Sequence, residues 1–227
     1  MIVGFMLEAV IFDWDGTLAD TKKAVLQSFQ KVLQQAGCRI SNDFIIRRMG
    51  IGTKKTIIQA FRECNMKLDV LTLEKLNVEK IDAQAMLTDV VYLFEGTMEL
   101  LKRLKGNVKI ALSTMSGRKV IDKLLSEKKI KDFFDVIVSA DDVERPKPNP
   151  EVFLLSAKEL KVAPEDCVVI EDSVFGIRAA KAARMKCIAV PTGGYSGEEL
   201  LEEKPDLMIN SLVEREKILH FVFGDNK

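Results

Sequence analysis

Two aspartates follow a short apolar run near the start of the chain, in the segment DWDGT at residues 13–17. Residues 9–12 read Ala-Val-Ile-Phe, which is typical of a strand covered on both faces of a parallel sheet. Residues two apart on an extended chain point to the same side, so Asp13 and Asp15 can face one group, although they repel each other unless a cation or shared proton intervenes. A turn that caps the next helix would explain one Asp-Gly pair but not this arrangement. The segment therefore predicts a ligand site at the carboxyl edge of an α/β sheet.

Three further segments would bring polar side chains to the same edge. Each has an ordinary alternative, because hydroxyls often cap helices, a lysine between prolines is often solvated, and acidic pairs often begin helices. Ser113 and Ser116 could also serve the helix that follows Thr114. Their order along the chain and the strands that precede them favour a shared site. The candidates are Thr114 after residues 109–112, Lys147 in the segment RPKPNP, and Glu171 and Asp172 after residues 167–170.

The hydrophobic pattern predicts a sheet domain interrupted by helices. Helical periodicity covers residues 21–36, 42–49, 54–62 and 73–93, whereas strands are predicted near 108–113, 136–139, 167–171, 187–190 and 207–209. Strands alternating with helices are typical of a doubly wound parallel sheet. We therefore expect an α/β core domain of residues 1–19 and 96–227, a helical cap domain of residues 20–95, and hinges near residues 20–21 and 95–96.

Composition agrees with an enzyme and argues against a nucleic-acid-binding or membrane protein. Of 227 residues, 47% are hydrophobic and 30% charged, and 34 basic residues balance 34 acidic ones. A nucleic-acid-binding protein usually has a basic excess. No stretch approaches the roughly twenty apolar residues of a membrane span, and residues 1–10 lack the pattern of a signal peptide. We expect a cytoplasmic protein without nucleic-acid or membrane partners; its oligomeric state stays open, with a monomer compatible.

Cysteine and histidine offer little to catalysis. The only histidine, His220, lies near the carboxyl end, which argues against a histidine-dependent mechanism. The cysteines lack the spacing of metal ligands, and two of them lie in predicted strands, so we expect reduced thiols in the core. They are Cys38, Cys64, Cys167 and Cys187.

With these segments in order over essentially the whole chain, the sequence resembles the haloacid dehalogenase (HAD) superfamily. The match is to the subgroup with a helical cap, which includes phosphoglycolate phosphatases and β-phosphoglucomutases, and it rests on DWDGT, the strand end at Thr114, KPNP and EDS. The resemblance implies a Rossmann-like core with an inserted α-helical cap. It implies the following roles: Asp13 as nucleophile, Asp15 as general acid and base, Thr114 and Lys147 as phosphoryl ligands, and Mg²⁺ bound by Asp13, Asp172 and the backbone carbonyl of Asp15, with Glu171 as a further ligand or a group that supports one.

The acid at position 15 narrows the choice among the reactions that members of that superfamily catalyse. A dehalogenase has no use for an acid at this place because halide leaves without a proton, and a related phosphonatase carries a small residue there. A cap arginine expected for β-phosphoglucomutase is replaced by Thr53. We therefore expect a Mg²⁺-dependent phosphatase that hydrolyses a small phosphorylated metabolite through an aspartyl-phosphate, with a sugar phosphomutase as the alternative. A phospho-aspartate signalling receiver and a silent binding protein are the non-enzyme alternatives.

Basic residues flank a glycine-containing loop of the predicted cap, residues 50–52. They are Arg47, Arg48, Lys54 and Lys55. Positive charge on a lid would attract a small anionic substrate. Solvated helix charge is the competing interpretation, because adjacent residues on a helix point in different directions.

Overall fold

A six-stranded parallel sheet lies at the centre of residues 7–224, the part of the chain that this computed structural model describes. The strand order is β5-β4-β1-β6-β7-β8, and a separate antiparallel pair joins β2 and β3. The strands are β1 Ala9–Phe12, β2 Ala19–Asp20, β3 Tyr92–Leu93, β4 Lys109–Ser113, β5 Val136–Val138, β6 Cys167–Glu171, β7 Lys186–Ala189 and β8 Leu207–Met208.

Helices cover both faces of this sheet. The helices are α1 Lys22–Gln35, α2 Asn42–Ile46, α3 Thr53–Glu63, α4 Val70–Ala85, α5 Thr97–Leu104, α6 Arg118–Glu127, α7 Glu151–Leu160, α8 Val174–Ala182, α9 Gly197–Glu202 and α10 Arg215–Phe223. Short 3₁₀ turns cover Thr88–Val90, Lys131–Phe133, Ala140–Asp142, Pro164–Asp166 and Leu212–Glu214. The doubly wound fold and the five strands predicted after residue 96 are confirmed.

Strand β1 shows how alternation builds the two layers. Val10 and Phe12 pack with apolar residues of α5, α6 and α10, whereas Ala9 and Ile11 pack with those of α7, α8 and α9. Trp14 continues the first set and is buried in the same cluster. Because β1 is covered on both faces, its carboxyl end can hold polar groups away from bulk water.

The strand register aligns three chain segments at the carboxyl edge. Phe12 pairs with Leu112 of β4 on one side and with Ile170 of β6 on the other. The next residue along each segment is Asp13, Ser113 or Glu171. Parallel strands that share a register end at the same edge, so these residues are brought level with one another.

Helices α1 to α4 form their own apolar cluster between β2 and β3. Its buried members all lie between Val25 and Leu76. Ala19 and Asp20 pair with Leu93 and Tyr92, so the chain's two connections to this bundle lie side by side. The predicted helix at residues 73–93 was wrong at both ends: α4 covers Val70–Ala85, and a 3₁₀ turn and strand β3 follow it.

The expectation of four reduced cysteines was wrong for two of them. Cys38 and Cys64 form a disulfide, with Cα atoms 5.8 Å apart. They are brought together by packing between the segment after α1 and the end of α3, a proximity that their spacing of 26 residues does not encode. Cys167 and Cys187 are free and buried, as expected. Disulfides are rare in reducing compartments, so a cytoplasmic location would not lead one to expect this pair.

Among residues 7–224, none of the helices combines the length and the apolar character that a membrane crossing requires.

Candidate active site

Lys147 joins the strand ends at the centre of the candidate site. Its Nζ donates hydrogen bonds to Asp13 Oδ1 at 2.6 Å, to Glu171 Oε1 at 2.7 Å and to the Ser113 carbonyl at 3.3 Å. The side chain is 0% exposed. The four sequence segments thus meet at one buried ammonium group.

Burial and charge act in opposite directions on the pKa values of this cluster. Desolvation raises the pKa of Asp13 well above its ordinary value, although the Lys147 charge opposes the shift. For Lys147, desolvation alone would lower the pKa, but the negative charges of Asp13 and Glu171 outweigh it and raise the pKa above its usual range. Lys147 is therefore held in its charged form. One lysine does not offset the cost of burying the carboxylate charges, so additional positive charge would stabilise them.

Asp172 completes a cluster that suits a divalent cation. One carboxylate oxygen from each of Asp13, Glu171 and Asp172 lies within 4.8 Å of the others. Burial, followed by the charges of Glu171 and Asp13, raises the pKa of Asp172 well above its ordinary value. Three carboxylates and one ammonium leave an excess of negative charge in a buried site. Mg²⁺ prefers such oxygen ligands, so the donor set fits this ion.

Glycines make room for the Asp172 carboxylate. A Cβ atom at Gly16 or Gly193 would overlap Asp172 Oδ2. Gly16 also has a φ of 92°, a backbone conformation that side chains disfavour. The turn after Asp15 can therefore approach Asp172 closely, and the Thr17 hydroxyl donates to its Oδ1 at 3.2 Å.

Glu171 differs from the other two acids because both of its oxygens already accept hydrogen bonds. Oε1 accepts from Lys147, while Oε2 accepts from the backbone N–H groups of Asp172 and Ser173 at 2.9 and 3.0 Å and from the Ser173 hydroxyl at 2.9 Å. These contacts favour a supporting role over direct metal binding.

Asp15 lies in a different environment, among hydroxyl groups. Its Oδ1 accepts from the Thr21 hydroxyl at 2.7 Å, and its Oδ2 accepts from the Ser116 hydroxyl at 2.6 Å. The Thr114 hydroxyl is farther from Oδ2, at 3.4 Å, and accepts the Ser116 backbone N–H at 3.0 Å. All four residues are buried. Asp13 and Asp15 therefore share a turn but not a set of partners.

Sequence reasoning missed Thr21 and treated Ser116 only as a helix cap. Thr21 lies directly before α1 and Ser116 just before α6, positions where a hydroxyl commonly caps a helix. Neither helix receives a side-chain cap there, and both hydroxyls donate to Asp15 instead. Their proximity to Asp15 depends on tertiary packing, so the local pattern could not reveal it.

The helical bundle presents Lys80 toward Asp15 across a cavity of about 30 Å³. Lys80 is 4% exposed and donates to Gln84 Oε1. Its Nζ lies 4.5 Å from the centroid of the Phe29 ring. Desolvation lowers the pKa of Lys80 from 10.5 to about 8, although the Asp15 charge opposes the shift. Sequence reasoning missed this residue because a single lysine on a helix commonly faces solvent.

The four basic residues singled out in the sequence go to different places. Arg48 borders the cavity beside Asp15, and its Nε donates to Gln59 at 2.6 Å. Lys54 is exposed and pairs with Glu74 at 2.6 Å, while Lys55 lines a neighbouring cleft. Arg48 is thus the member of the four that borders Asp15, while Lys54 and Lys55 both line the neighbouring cleft.

Arg47 connects the bundle to the sheet domain. Its guanidinium makes two hydrogen bonds to the Glu199 carboxylate, at 2.6 and 2.9 Å, and its carbonyl accepts from the Tyr195 hydroxyl at 2.7 Å. The Arg47 guanidinium also lies 4.2 Å from the centroid of the Tyr195 ring. These contacts hold the segment after α2 against the chain near α9.

Comparison with known proteins gives concordant matches. A sequence model of the haloacid dehalogenase-like hydrolases matches residues 10–190. The chain is 35% identical to a fructose-1-phosphate phosphatase of Escherichia coli, covering 80% of this chain and 95% of that protein. It is 32% identical to a phosphorylated carbohydrates phosphatase of Thermotoga maritima, covering 92% and 99%. A crystal structure of β-phosphoglucomutase from Clostridium difficile superposes with a TM-score of 0.84 at 29% identity, covering 96% and 99%.

Proposed function

Because the chain belongs to the haloacid dehalogenase-like hydrolase family and is an enzyme that acts on phosphate esters, we propose that it is a Mg²⁺-dependent phosphatase working through an aspartyl-phosphate. The observation that carries the proposal is the contrast between two neighbouring acids. Asp13 lies against the Lys147 ammonium group, whereas Asp15 lies among hydroxyl groups. We assign the attack on phosphorus to the first acid and proton transfer to the second.

Asp13 acts as the nucleophile. Its carboxylate oxygen attacks phosphorus, and the bond between phosphorus and the ester oxygen breaks. Lys147 supplies a fixed positive charge where the phosphoryl oxygens gather charge in the transition state. The Thr114 hydroxyl, beside this centre, donates to a phosphoryl oxygen when substrate replaces its long contact to Asp15.

Mg²⁺ would be held by the side chains of Asp13 and Asp172 and by the backbone carbonyl of Asp15. When bound, the ion supplies positive charge that offsets the repulsion between a carboxylate and a dianionic ester. Glu171 orients Lys147 and the backbone of residues 172–173 rather than binding the ion directly.

Asp15 is the general acid and then the general base. It gives its proton to the leaving alkoxide oxygen, and the resulting carboxylate takes a proton from the water that attacks the aspartyl-phosphate. Phosphate is released, Asp13 is regenerated, and Asp15 is protonated again. The hydroxyls of Thr21 and Ser116 hold both of its oxygens in place.

We assign the helices between β2 and β3 to the predicted cap, residues 20–95, and keep residues 1–19 and 96–227 as the predicted core. This assignment is supported by the separate apolar cluster of α1 to α4 and by the paired connections. The expectation of a cytoplasmic location rests on the sequence alone and stays a prediction, and the oligomeric state stays open.

The substrate is a small phosphorylated metabolite, and the names of two relatives favour a phosphorylated carbohydrate. A sugar phosphomutase is the second candidate, favoured by the similarity to β-phosphoglucomutase. The two differ in the acceptor of the phosphoryl group, which is water in one and a sugar hydroxyl in the other. Free phosphate accumulating over many turnovers identifies the phosphatase, and it also excludes a signalling receiver and a silent binding protein.

The deciding experiment measures phosphate release from a panel of phosphorylated metabolites with Mg²⁺. We expect Asp13→Asn to abolish turnover because an amide cannot form the acyl-phosphate. Asp132→Asn, the same change at an exposed acid, should retain full activity. EDTA should abolish the activity of the unchanged protein. Turnover by Asp13→Asn close to that of the unchanged protein, or full activity in EDTA, contradicts the proposal.

Replacing Asp15 tests the proton-transfer role separately. We expect Asp15→Asn to lower turnover of an alkyl phosphate by about 10²-fold or more, because the amide can neither protonate the leaving group nor activate water. An unchanged rate would remove Asp15 from this role and leave the assignment of Asp13 intact.

A further inference from the structure

Two cavities meet at a common wall between the bundle and the sheet domain. The inner chamber, of about 30 Å³, contains Asp15, Arg48 and Lys80 on its walls. The outer cleft, of about 510 Å³, lies between α3 and α4 on one side and the loops after β4 and β5 on the other. The residues that line both are Gly52, Thr53 and Met115.

Met115 provides the side chain of this wall on the sheet-domain side. It follows Thr114 and precedes Ser116, whose hydroxyl donates to Asp15 at 2.6 Å. Its own side chain is 7% exposed and extends to the bundle, where a Cβ atom added to Gly52 would lie 3.4 Å from Met115 Cε. The methyl end of Met115 thus packs against a residue that has no side chain to hold it.

The inner chamber is too small for most leaving groups. A single water needs roughly 10–15 Å³ of such volume, so the chamber of about 30 Å³ has room for about two waters. An ester oxygen next to Asp15 would leave no space there for a carbon chain of several atoms. Met115 lies on the boundary between this chamber and the outer cleft, so a larger substrate that extends toward the outer cleft passes Met115.

We propose that Met115 is a specificity-determining residue that selects phosphate esters by the size of the leaving group. This inference rests on the phosphatase function proposed above and deepens it. Met is unbranched and flexible, so its side chain can yield to a slender chain and resists a wide one. A smaller side chain in place of Met115 would therefore admit wide leaving groups, and an aromatic side chain there would exclude them.

The outer cleft suits a leaving group rich in hydroxyls. Lys54, Lys55 and Asn77 line it from the bundle, and Asp141 and Glu144 line it from the sheet domain. Lysine and the amide donate hydrogen bonds, while the carboxylates accept them. A polyol or sugar offers both functions on successive carbons, so phosphate monoesters of such alcohols are the substrate class that extends from Asp15 past Met115.

The test compares two esters within each protein, so that differences in the folded fraction cancel. The measured quantity is kcat/KM for a hexose phosphate divided by kcat/KM for ethyl phosphate, a monoester with a small leaving group, with Mg²⁺. We expect Met115→Ala to raise this ratio by about 10-fold or more, in line with the effect of small volume changes in a substrate pocket. Met115→Phe should lower it by a similar factor. Met86→Ala removes the same atoms at a position that is 77% exposed and should leave the ratio unchanged.

The outcomes separate this inference from the proposed function. A ratio that stays within twofold of the unchanged protein's in both Met115 variants overturns the size filter while leaving the phosphatase assignment intact. The same is true if both variants move the ratio in the same direction. Absence of Mg²⁺-dependent phosphate release from either ester by the unchanged protein overturns both.

Discussion

Lys147 at the sheet edge and Lys80 on the facing wall of the bundle are both buried, but their pKa values move in opposite directions. Lys147 has two carboxylates within hydrogen-bonding distance, and its pKa is raised. Lys80 has the amide of Gln84 and the ring of Phe29, and its pKa falls to about 8. Burial penalises both ammonium groups, so the partners decide the outcome. The charge on the sheet side is fixed, whereas the charge on the bundle side is adjustable near neutral pH.

The difference between the two pKa shifts follows from where the partners of each lysine lie in the chain. The carboxyl ends of β1 and β6 bring acids from distant segments to Lys147. Lys80 lies within one helix, and its hydrogen-bond partner is four residues along the same helix. Gln84 Nε2 itself has no partner among the described residues. The bundle wall therefore keeps an unpaired amide donor in the region where a substrate would bring its own polar groups.

Removing the fixed charge should have the largest effect. Lys147→Met leaves Asp13 and Glu171 buried without their cation, and breaking a buried ion pair costs about 3–5 kcal/mol. We expect the free energy of unfolding in urea at pH 7, without added metal, to fall by that order. Phosphatase turnover should fall by about 10³-fold, because the transition state loses a preorganised charge. Lys158→Met, at an exposed position on α7, is the matched control. Stability and turnover equal to those of the control would show that Lys147 does not bind these charges in solution.

The adjustable charge should appear in the pH dependence of stability. The folded-state pKa of Lys80 is about 8 and its ordinary value 10.5, so the unfolded chain binds more protons between these values. Its unfavourable contribution is therefore fully present below pH 8 and is relieved as pH rises to 10.5, by about 3 kcal/mol. Lys80→Met should be more stable than the unchanged protein at pH 7, and this advantage should shrink by that amount by pH 10.5. A pH-independent difference in urea titrations would refute the lowered pKa.

The exposed pair of Arg47 and Glu199 should show the smallest effect. Hydrogen bonds from Arg47, followed by that from the Ser196 backbone, lower the pKa of Glu199 to about 2. Its stabilising contribution is present above pH 4.5 and is lost as pH falls through 2. The stability of Glu199→Gln should therefore fall less steeply with decreasing pH in this range than that of the unchanged protein. High salt should reduce the difference in stability between the two proteins, because exposed charges are screened. A salt-independent difference larger than that produced by Lys80→Met would show that the pair acts as a buried one.

The sheet-side residues were predictable because architecture brings strand ends together. Once β1, β4 and β6 are predicted to be parallel neighbours, Asp13, Thr114 and Asp172 must lie near one edge, whatever the loops between them do. Lys147 required the family resemblance as well, because a lysine between prolines has no preferred side in the local pattern. The structure brings it to Asp13 and Glu171.

The bundle-side residues were not predictable in the same way. Helix α4 exposes Val70, Leu71 and Val78 while it buries Lys80 and Gln84, so its polar and apolar residues are mixed rather than separated onto two faces as in an ordinary surface helix. The pairing of Cys38 with Cys64 and the approach of Met115 to Gly52 likewise depend on contacts between elements. Such contacts have no signature in the spacing of residues along one element.

Trp14 separates the two proposed catalytic aspartates and points away from both. It is 0% exposed among the apolar residues that hold α5, α6 and α10 to the sheet. Its carbonyl accepts hydrogen bonds from the backbone N–H groups of residues 17, 18 and 19. The residue that sets the spacing between the proposed nucleophile and the proposed acid is therefore held in the core, where it does not contact substrate. A related enzyme with a different division of labour between its two acids would have to alter their neighbours, such as Lys147 or Ser116, since the intervening residue is buried in the core and its carbonyl fixes the turn that follows.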